Sequence, residues 1–133
     1  MSDTLMISVS GIRGHVGTDL TPELVSRYAA ALGAWSRSAQ SARSSSRPTV
    51  VLGRDSRTSG PMFAQAAAAG LMSVGVDVID LGMVPTPTVQ LAVEHHHAGA
   101  TGGEGHLLDE IGLDAEDGVG DDRRQAEDPH AVT

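Results

Sequence analysis

The chain has 133 residues, enough for one domain or a domain with a tail, and it contains no cysteine, which excludes disulfides and thiolate metal sites. Its net charge of −8 comes entirely from the end: residues 1–98 carry seven acids and seven arginines, whereas residues 99–133 carry ten acids and two arginines. Because there is no excess of basic residues, the chain is not expected to bind nucleic acid. Because there is no long apolar run and no signal-peptide pattern, it is not expected to enter a membrane or to be secreted, and a cytoplasmic location is predicted.

Regular elements are predicted from residue 5 onward. Residues 5–9 are apolar and precede Ser-Gly, which predicts a short buried strand. Thr21 and Pro22 have the residue types of an N-cap and a first helical position, so a helix is predicted from there to about residue 38. Four apolar residues recur at helical spacing and form its predicted buried face: Leu24, Tyr28, Leu32 and Trp35. Residues 39–47 are predicted to be a polar linker.

The chain then alternates strand and helix. The second and third strands are predicted at residues 49–53 and 76–81, the second ending at Gly53 and the third reading Val-Asp-Val-Ile-Asp-Leu. Ser59 is the predicted cap of a second helix that ends at Gly75, and Thr86 is the predicted cap of a third that reaches about His97. This alternation predicts a three-layer α/β/α domain with a mostly parallel sheet, incomplete, over residues 1–100.

Residues 101–133 have a different character. Aspartate, glutamate, glycine, arginine and alanine dominate there, and the apolar periodicity ends. This composition predicts an acidic tail that is mostly disordered.

Two segments have the composition of phosphate-binding loops. Glycine lets the backbone approach a ligand closely, and arginine donates paired hydrogen bonds to phosphate oxygens. The first segment is Ser10-Gly11-Ile12-Arg13-Gly14, and the second is Gly53-Arg54-Asp55-Ser56-Arg57. In the second, Asp55 lies between two arginines, so an ion pair that shapes the loop and a direct phosphate contact are equally supported.

A third segment, Pro85-Thr86-Pro87, fixes a rigid turn and is given a structural role. All three segments follow predicted strands. Loops at the carboxyl ends of parallel strands hold ligands in α/β domains, so the three segments are expected to share one rim of the sheet.

The order and spacing of these segments resemble the N-terminal domain of the α-D-phosphohexomutases, which include phosphoglucomutases, phosphomannomutases and phosphoglucosamine mutases. The resemblance covers about residues 5–99. It implies that Arg13 helps to hold a phosphoserine or substrate phosphate in a loop formed with Ser10, Gly11 and Gly14. It also implies that Arg57 faces the cleft, and that the full-length enzyme interconverts sugar 1-phosphates and 6-phosphates with Mg²⁺.

The chain departs from that family where the catalytic serine should come. The family has a Thr/Ala-Ser-His-Asn-Pro loop there, whereas Gly99 is followed by Ala-Thr-Gly-Gly-Glu-Gly-His, and no serine occurs after Ser73. Residues 117–123 are similar to the family's magnesium loop, but Val119 replaces its middle acid. Three successive histidines, residues 95–97, point about 100° apart on a helix and cannot converge on one ion. We therefore expect no catalytic residue and no metal ligand in this chain.

Three hypotheses remain open. The favoured one is a truncated or frameshifted mutase of the phosphoglucosamine, phosphomannose or phosphoglucose type, whose tail is read out of frame. Under this hypothesis the chain is inactive alone, and a phosphosugar is a substrate only of the full-length enzyme. The second is a non-enzymatic α/β module that binds a sugar phosphate or a partner supplying the remaining domains. The third is an unrelated doubly wound domain in which the motifs are coincidental.

Overall fold

The computed structural model describes residues 5–8, 11–42, 45–96 and 114–116. Its elements in chain order are β1 (Met6–Ser8), β2 (Gly11–His15), α1 (Pro22–Ser41), β3 (Thr49–Arg54), α2 (Gly60–Ser73), β4 (Asp77–Met83), α3 (Thr86–His95) and β5 (Asp114–Glu116). All three predicted strands and all three predicted helices are present, which confirms the α/β class. No helix in the described ranges has both the length and the apolar character needed to cross a membrane.

The described strands form two small sheets. β3 and β4 are parallel neighbours, with Val50 opposite Val78. β2 lies between β1, to which it is antiparallel, and β5, to which it is parallel. The sequence predicts a loop at residues 10–14, but residues 11–15 form β2, so this loop prediction is wrong. The reason is that glycine is rare in strands, and this segment contains two glycines. The strand pattern of buried Ile12, exposed Arg13 and buried Gly14 is therefore not visible as an alternation of apolar and polar residues.

One hydrophobic core joins both sheets to α1 and α2. Its strand residues include Ile12 of β2 and Val50 and Leu52 of β3. Val51 lies between the last two, is only 2% exposed and is not part of that core, so it belongs to the other face of β3. α3 packs against β3 close to Gly53, where Val89 and Val84 would contact any added Cβ. Helices therefore cover both faces of β3, and the predicted α/β/α layering is confirmed.

The helix ends agree with the sequence in part. Thr21 caps α1 as predicted, since its Oγ1 accepts a hydrogen bond from the Leu24 amide at 3.3 Å. α1 then continues to Ser41, three residues beyond the predicted end. Ser59 occupies the N-cap position of α2 as predicted, but its side chain makes no capping hydrogen bond. The third predicted cap is wrong, because Pro85, not Thr86, occupies the N-cap position of α3.

The predicted buried face of α1 is wrong for its two aromatic residues, because the helix is rotated, whereas Leu24 is partly buried and packs against the core. Its buried residues are Val25, Ala29, Gly33 and Ser36, whereas Tyr28 and Trp35 are exposed by 37% and 55%. The reason is that α1 packs against α2 through small side chains. At Gly70 of α2, an added Cβ would overlap the Ser26 carbonyl oxygen and lie 3.0 Å from Ala29 Cβ. Large aromatic rings do not fit into so close a contact.

The predicted disordered tail falls largely outside the described residues. Residues 101–113 and 117–133 belong to that part, while residues 114–116 form β5 and pair with β2. A strand is thus added at positions for which the sequence predicts no regular structure.

Replacing Ser36 with alanine is expected to stabilise the domain. The Ser36 hydroxyl is 2% exposed and has no hydrogen-bond partner within the described ranges. A buried unsatisfied polar group costs about 1–3 kcal/mol, so its removal should raise the free energy of unfolding by about 1 kcal/mol in urea denaturation. Ser38→Ala, at an exposed position of the same helix, measures the gain from alanine's helix propensity alone. An equal gain in both variants would contradict the assignment.

Candidate functional site

β2 holds Arg13 at the surface of the sheet. Ile12, 4% exposed, anchors the strand in the core, and Gly14 is buried on the same side. Gly11 has a φ of 113°, a region that favours glycine, so the backbone entering the strand depends on that residue. Arg13 is exposed between these buried positions. Ser10, the other residue of this segment with an expected role, lies outside the described residues.

The turn after β2 contains a histidine and aspartate pair that the sequence reasoning missed. The His15 carbonyl accepts hydrogen bonds from the amides of Asp19 and Leu20, both at 3.0 Å. The Asp19 side chain is 1% exposed, and its Oδ2 lies 3.4 Å from Nδ1 of His15, whose side chain is 46% exposed. The sequence did contain a signal for this pair, because His15 and Asp19 are four residues apart with Gly17 between them. The apolar Leu20, which is buried, follows Asp19 directly.

The loop after β3 is organised by Asp55. Its Oδ1 accepts a hydrogen bond from the Arg57 amide at 3.1 Å, and its Oδ2 lies 3.2 Å from Arg57 Nε. Arg54 Nη1 donates to the Asp55 carbonyl oxygen at 3.4 Å. The carboxylate therefore sets the shape of the loop and the position of the Arg57 guanidinium. Whether Arg57 also contacts phosphate stays a prediction.

Two of the three sequence segments share one rim. The Val84 amide donates to the Arg54 carbonyl at 3.1 Å, which ties the end of β4 to the end of β3. The turn at Pro85-Thr86-Pro87 follows directly and is closed by the Thr88 amide, which donates to the Pro85 carbonyl at 2.9 Å. Arg13 belongs to the other sheet, and no strand pairing joins β2 to β3 in the described ranges.

The described residues contain no group of three histidine, aspartate or glutamate side chains that could hold a metal ion. The rings of His95 and His96 are edge to face, with their centroids 5.0 Å apart. His97 and residues 117–123, which the sequence analysis considered as metal ligands and rejected, lie outside the described ranges. The chemistry available at the described site is anion binding by arginine.

Comparison with known proteins gives consistent results. Residues 5–103 match the model of the phosphoglucomutase/phosphomannomutase family, alpha/beta/alpha domain I. A phosphoglucomutase/phosphomannomutase of Thermococcus kodakarensis is 41% identical over 88 residues, which are 66% of this chain and 18% of that protein. A phosphoglucosamine mutase of Acaryochloris marina is 43% identical over 101 residues, or 76% of this chain and 21% of that protein.

A solved structure supports the fold. The crystal structure of a phosphoglucomutase/phosphomannomutase family protein from Burkholderia thailandensis matches with a TM-score of 0.54 and 36% identity, over 66% of this chain and 19% of that one. The chain thus spans about a fifth of the length of the proteins it matches. With a family model that covers residues 5–103, the chain belongs to the phosphoglucomutase/phosphomannomutase family, of which it carries the α/β/α domain I.

Proposed function

We propose that this chain is the phosphate-binding N-terminal part of a phosphohexomutase that acts on glucosamine, mannose or glucose phosphates. The observation that carries the proposal is the exposed Arg13 on β2, held between the buried Ile12 and Gly14. The backbone of Arg13 is held by its buried neighbours, and its guanidinium can donate two parallel hydrogen bonds to a phosphate. Arg57, positioned by Asp55, is assigned a second phosphate contact.

We further propose that the chain does not transfer a phosphoryl group by itself. Such a transfer needs a nucleophile as well as positioned positive charge. The family's serine would follow Gly99, but no serine occurs after Ser73. The family resemblance also implies Mg²⁺, but the described residues do not form a site that fits it, so no metal-bound step is assigned to this chain. The absence of nucleic-acid and membrane partners and the cytoplasmic location stay predictions.

A non-enzymatic sugar-phosphate-binding or partner-binding module is the second candidate. It is supported by two observations, namely the exposed Arg13 on β2 and the lack of the serine loop in the sequence. Phosphate binding supports both candidates. The distinguishing result is whether a separate polypeptide that carries the serine loop and the remaining domains of a family member restores sugar phosphate interconversion when it is added to this chain.

Arg13→Ala is expected to weaken binding of glucosamine 6-phosphate at least about tenfold. The reason is the loss of charge-assisted hydrogen bonds, which contribute roughly 1.5–3 kcal/mol each. Isothermal titration calorimetry on the full chain measures the affinity, and a coupled assay tests for conversion to the 1-phosphate, which is expected to be undetectable. Arg27→Ala, an exposed arginine on α1, is the matched control. Unchanged affinity of the Arg13 variant would refute its role, and conversion by the chain alone would refute its inactivity.

A further inference from the structure

Two basic side chains lie on one face of β2. Arg13 and His15 are exposed, whereas Gly14, which lies between them, and Ile12, which precedes Arg13, are buried. Alternate residues of a strand point to the same side, and their Cα atoms are about 6.6 Å apart. Arginine has a long side chain, so its guanidinium and the imidazole of His15 can approach the same small anion.

Asp19 fixes the orientation of the imidazole. Its Oδ2 lies 3.4 Å from His15 Nδ1, and the aspartate is itself held by the turn, because its amide donates to the His15 carbonyl at 3.0 Å. The neighbouring Leu20 is fully buried in the core, which prevents this turn from shifting. With Nδ1 beside the carboxylate, Nε2 lies on the opposite side of the ring.

β5 runs parallel beside β2, and its backbone positions 114 and 116 are in register with Arg13 and His15. Among the side chains that the structure describes, the charged neighbours of His15 include Arg13 on its own strand and Asp19 in the turn.

From this geometry we propose that His15 is a second anion-recognition residue, which acts with Arg13 on the oxygens of a phosphate monoester. The proposal rests on the proposed function of Arg13. When the imidazole is protonated, its Nε2–H donates to a phosphate oxygen. When it is neutral with its proton on Nδ1, Nε2 accepts a hydrogen bond from a singly protonated phosphate, whose second pKa is about 6. In both cases one proton lies between Nε2 and a phosphate oxygen, so the hydrogen bond forms in either protonation state.

Calorimetric titration of the full chain with inorganic phosphate, at constant ionic strength, tests the proposal. His15→Gln is expected to weaken binding by about tenfold or more, the usual effect of losing one charge-assisted hydrogen bond. His15→Lys restores a cation and is expected to bind within about threefold of the unmodified chain. Because His15 is half exposed, neither change should disturb the core. His96→Gln, at an exposed histidine beyond α3, is the matched control and should bind normally.

Proton NMR of the imidazole provides a readout that a structural role would not affect. Phosphate should shift the Cε1 proton resonance of His15, which is assigned by its absence from the His15→Gln spectrum, and leave the other five histidines unchanged. The proposal is overturned if this resonance does not move and His15→Gln binds normally while Arg13→Ala loses binding. If Arg13→Ala also binds normally, or if phosphate does not bind, the proposed function itself fails.

Discussion

Gly70→Ala is expected to lower the free energy of unfolding by roughly 2–3 kcal/mol. The added Cβ would overlap the carbonyl oxygen of Ser26 and lie 3.0 Å from Ala29 Cβ. Because the main obstacle is backbone, a side-chain rotation cannot relieve it, and α2 must move away from α1. The cost of such overpacking exceeds the advantage of about 1 kcal/mol that alanine has over glycine inside a helix.

Urea denaturation followed by circular dichroism measures this change. Ala69→Gly is the matched control on the same helix, because residue 69 is exposed and the change measures the helix propensity difference alone. Gly33→Ala should give an intermediate loss, since its nearest neighbour is the end of a side chain, Val74 Cγ2 at 2.7 Å. A gain in the Gly70 variant equal to the loss in the Ala69 variant would show that the two helices do not approach so closely.

Phe63→Ala is expected to cause the largest loss, about 3–5 kcal/mol. Phe63 is 1% exposed and is among the largest fully buried side chains of the described residues. Truncation removes its apolar surface from the core and leaves a cavity between α2 and the strands, and both effects lower stability. Native domains are stable by only about 5–15 kcal/mol, so this variant should lose much of its cooperative transition at 37 °C.

The measurement is again equilibrium denaturation, with Phe63→Leu as a graded variant that should lose about 1–2 kcal/mol. Met62→Ala is the control, because Met62 precedes Phe63 on the same helix and is 40% exposed. Similar losses for the Met62 and Phe63 variants would mean that α2 is rotated from the orientation described.

Local residue chemistry was sufficient to predict most elements. Thr21 and Pro22 located the start of α1 correctly because capping depends only on neighbouring residues. Gly75 ended α2 as expected, with a φ of 83° that favours glycine. The apolar run of β3 was equally clear, since strands covered on both faces have nearly continuous apolar sequences.

Tertiary packing explains what the sequence did not reveal. Tyr28 and Trp35 look like core residues by size and spacing, yet the close contact of α1 with α2 favours small residues such as Ala29. The spacing of the aromatic residues alone cannot show this, because the shape of the partner helix decides which face is buried. β2 was missed for a related reason. Its glycines have low strand propensity, and pairing with β1 holds them in the extended conformation.

The candidate site was predicted in composition more than in arrangement. Arg13, Arg54, Asp55 and Arg57 were identified from residue type, and the structure shows Asp55 in contact with Arg57. His15 and Asp19 were not identified, because a contact between a strand end and a buried turn depends on the three-dimensional course of residues 15–20.

The pairing of β5 with β2 joins two parts of the chain that are far apart in sequence, since Arg13 is in register with Asp114. The pairing of β1 with β2 is local by comparison, with Ser8 opposite Gly11. Closing a long loop costs more chain entropy than closing a short one, and contacts between distant positions form more slowly. The β1–β2 pair is therefore expected to form before β5 is added during folding.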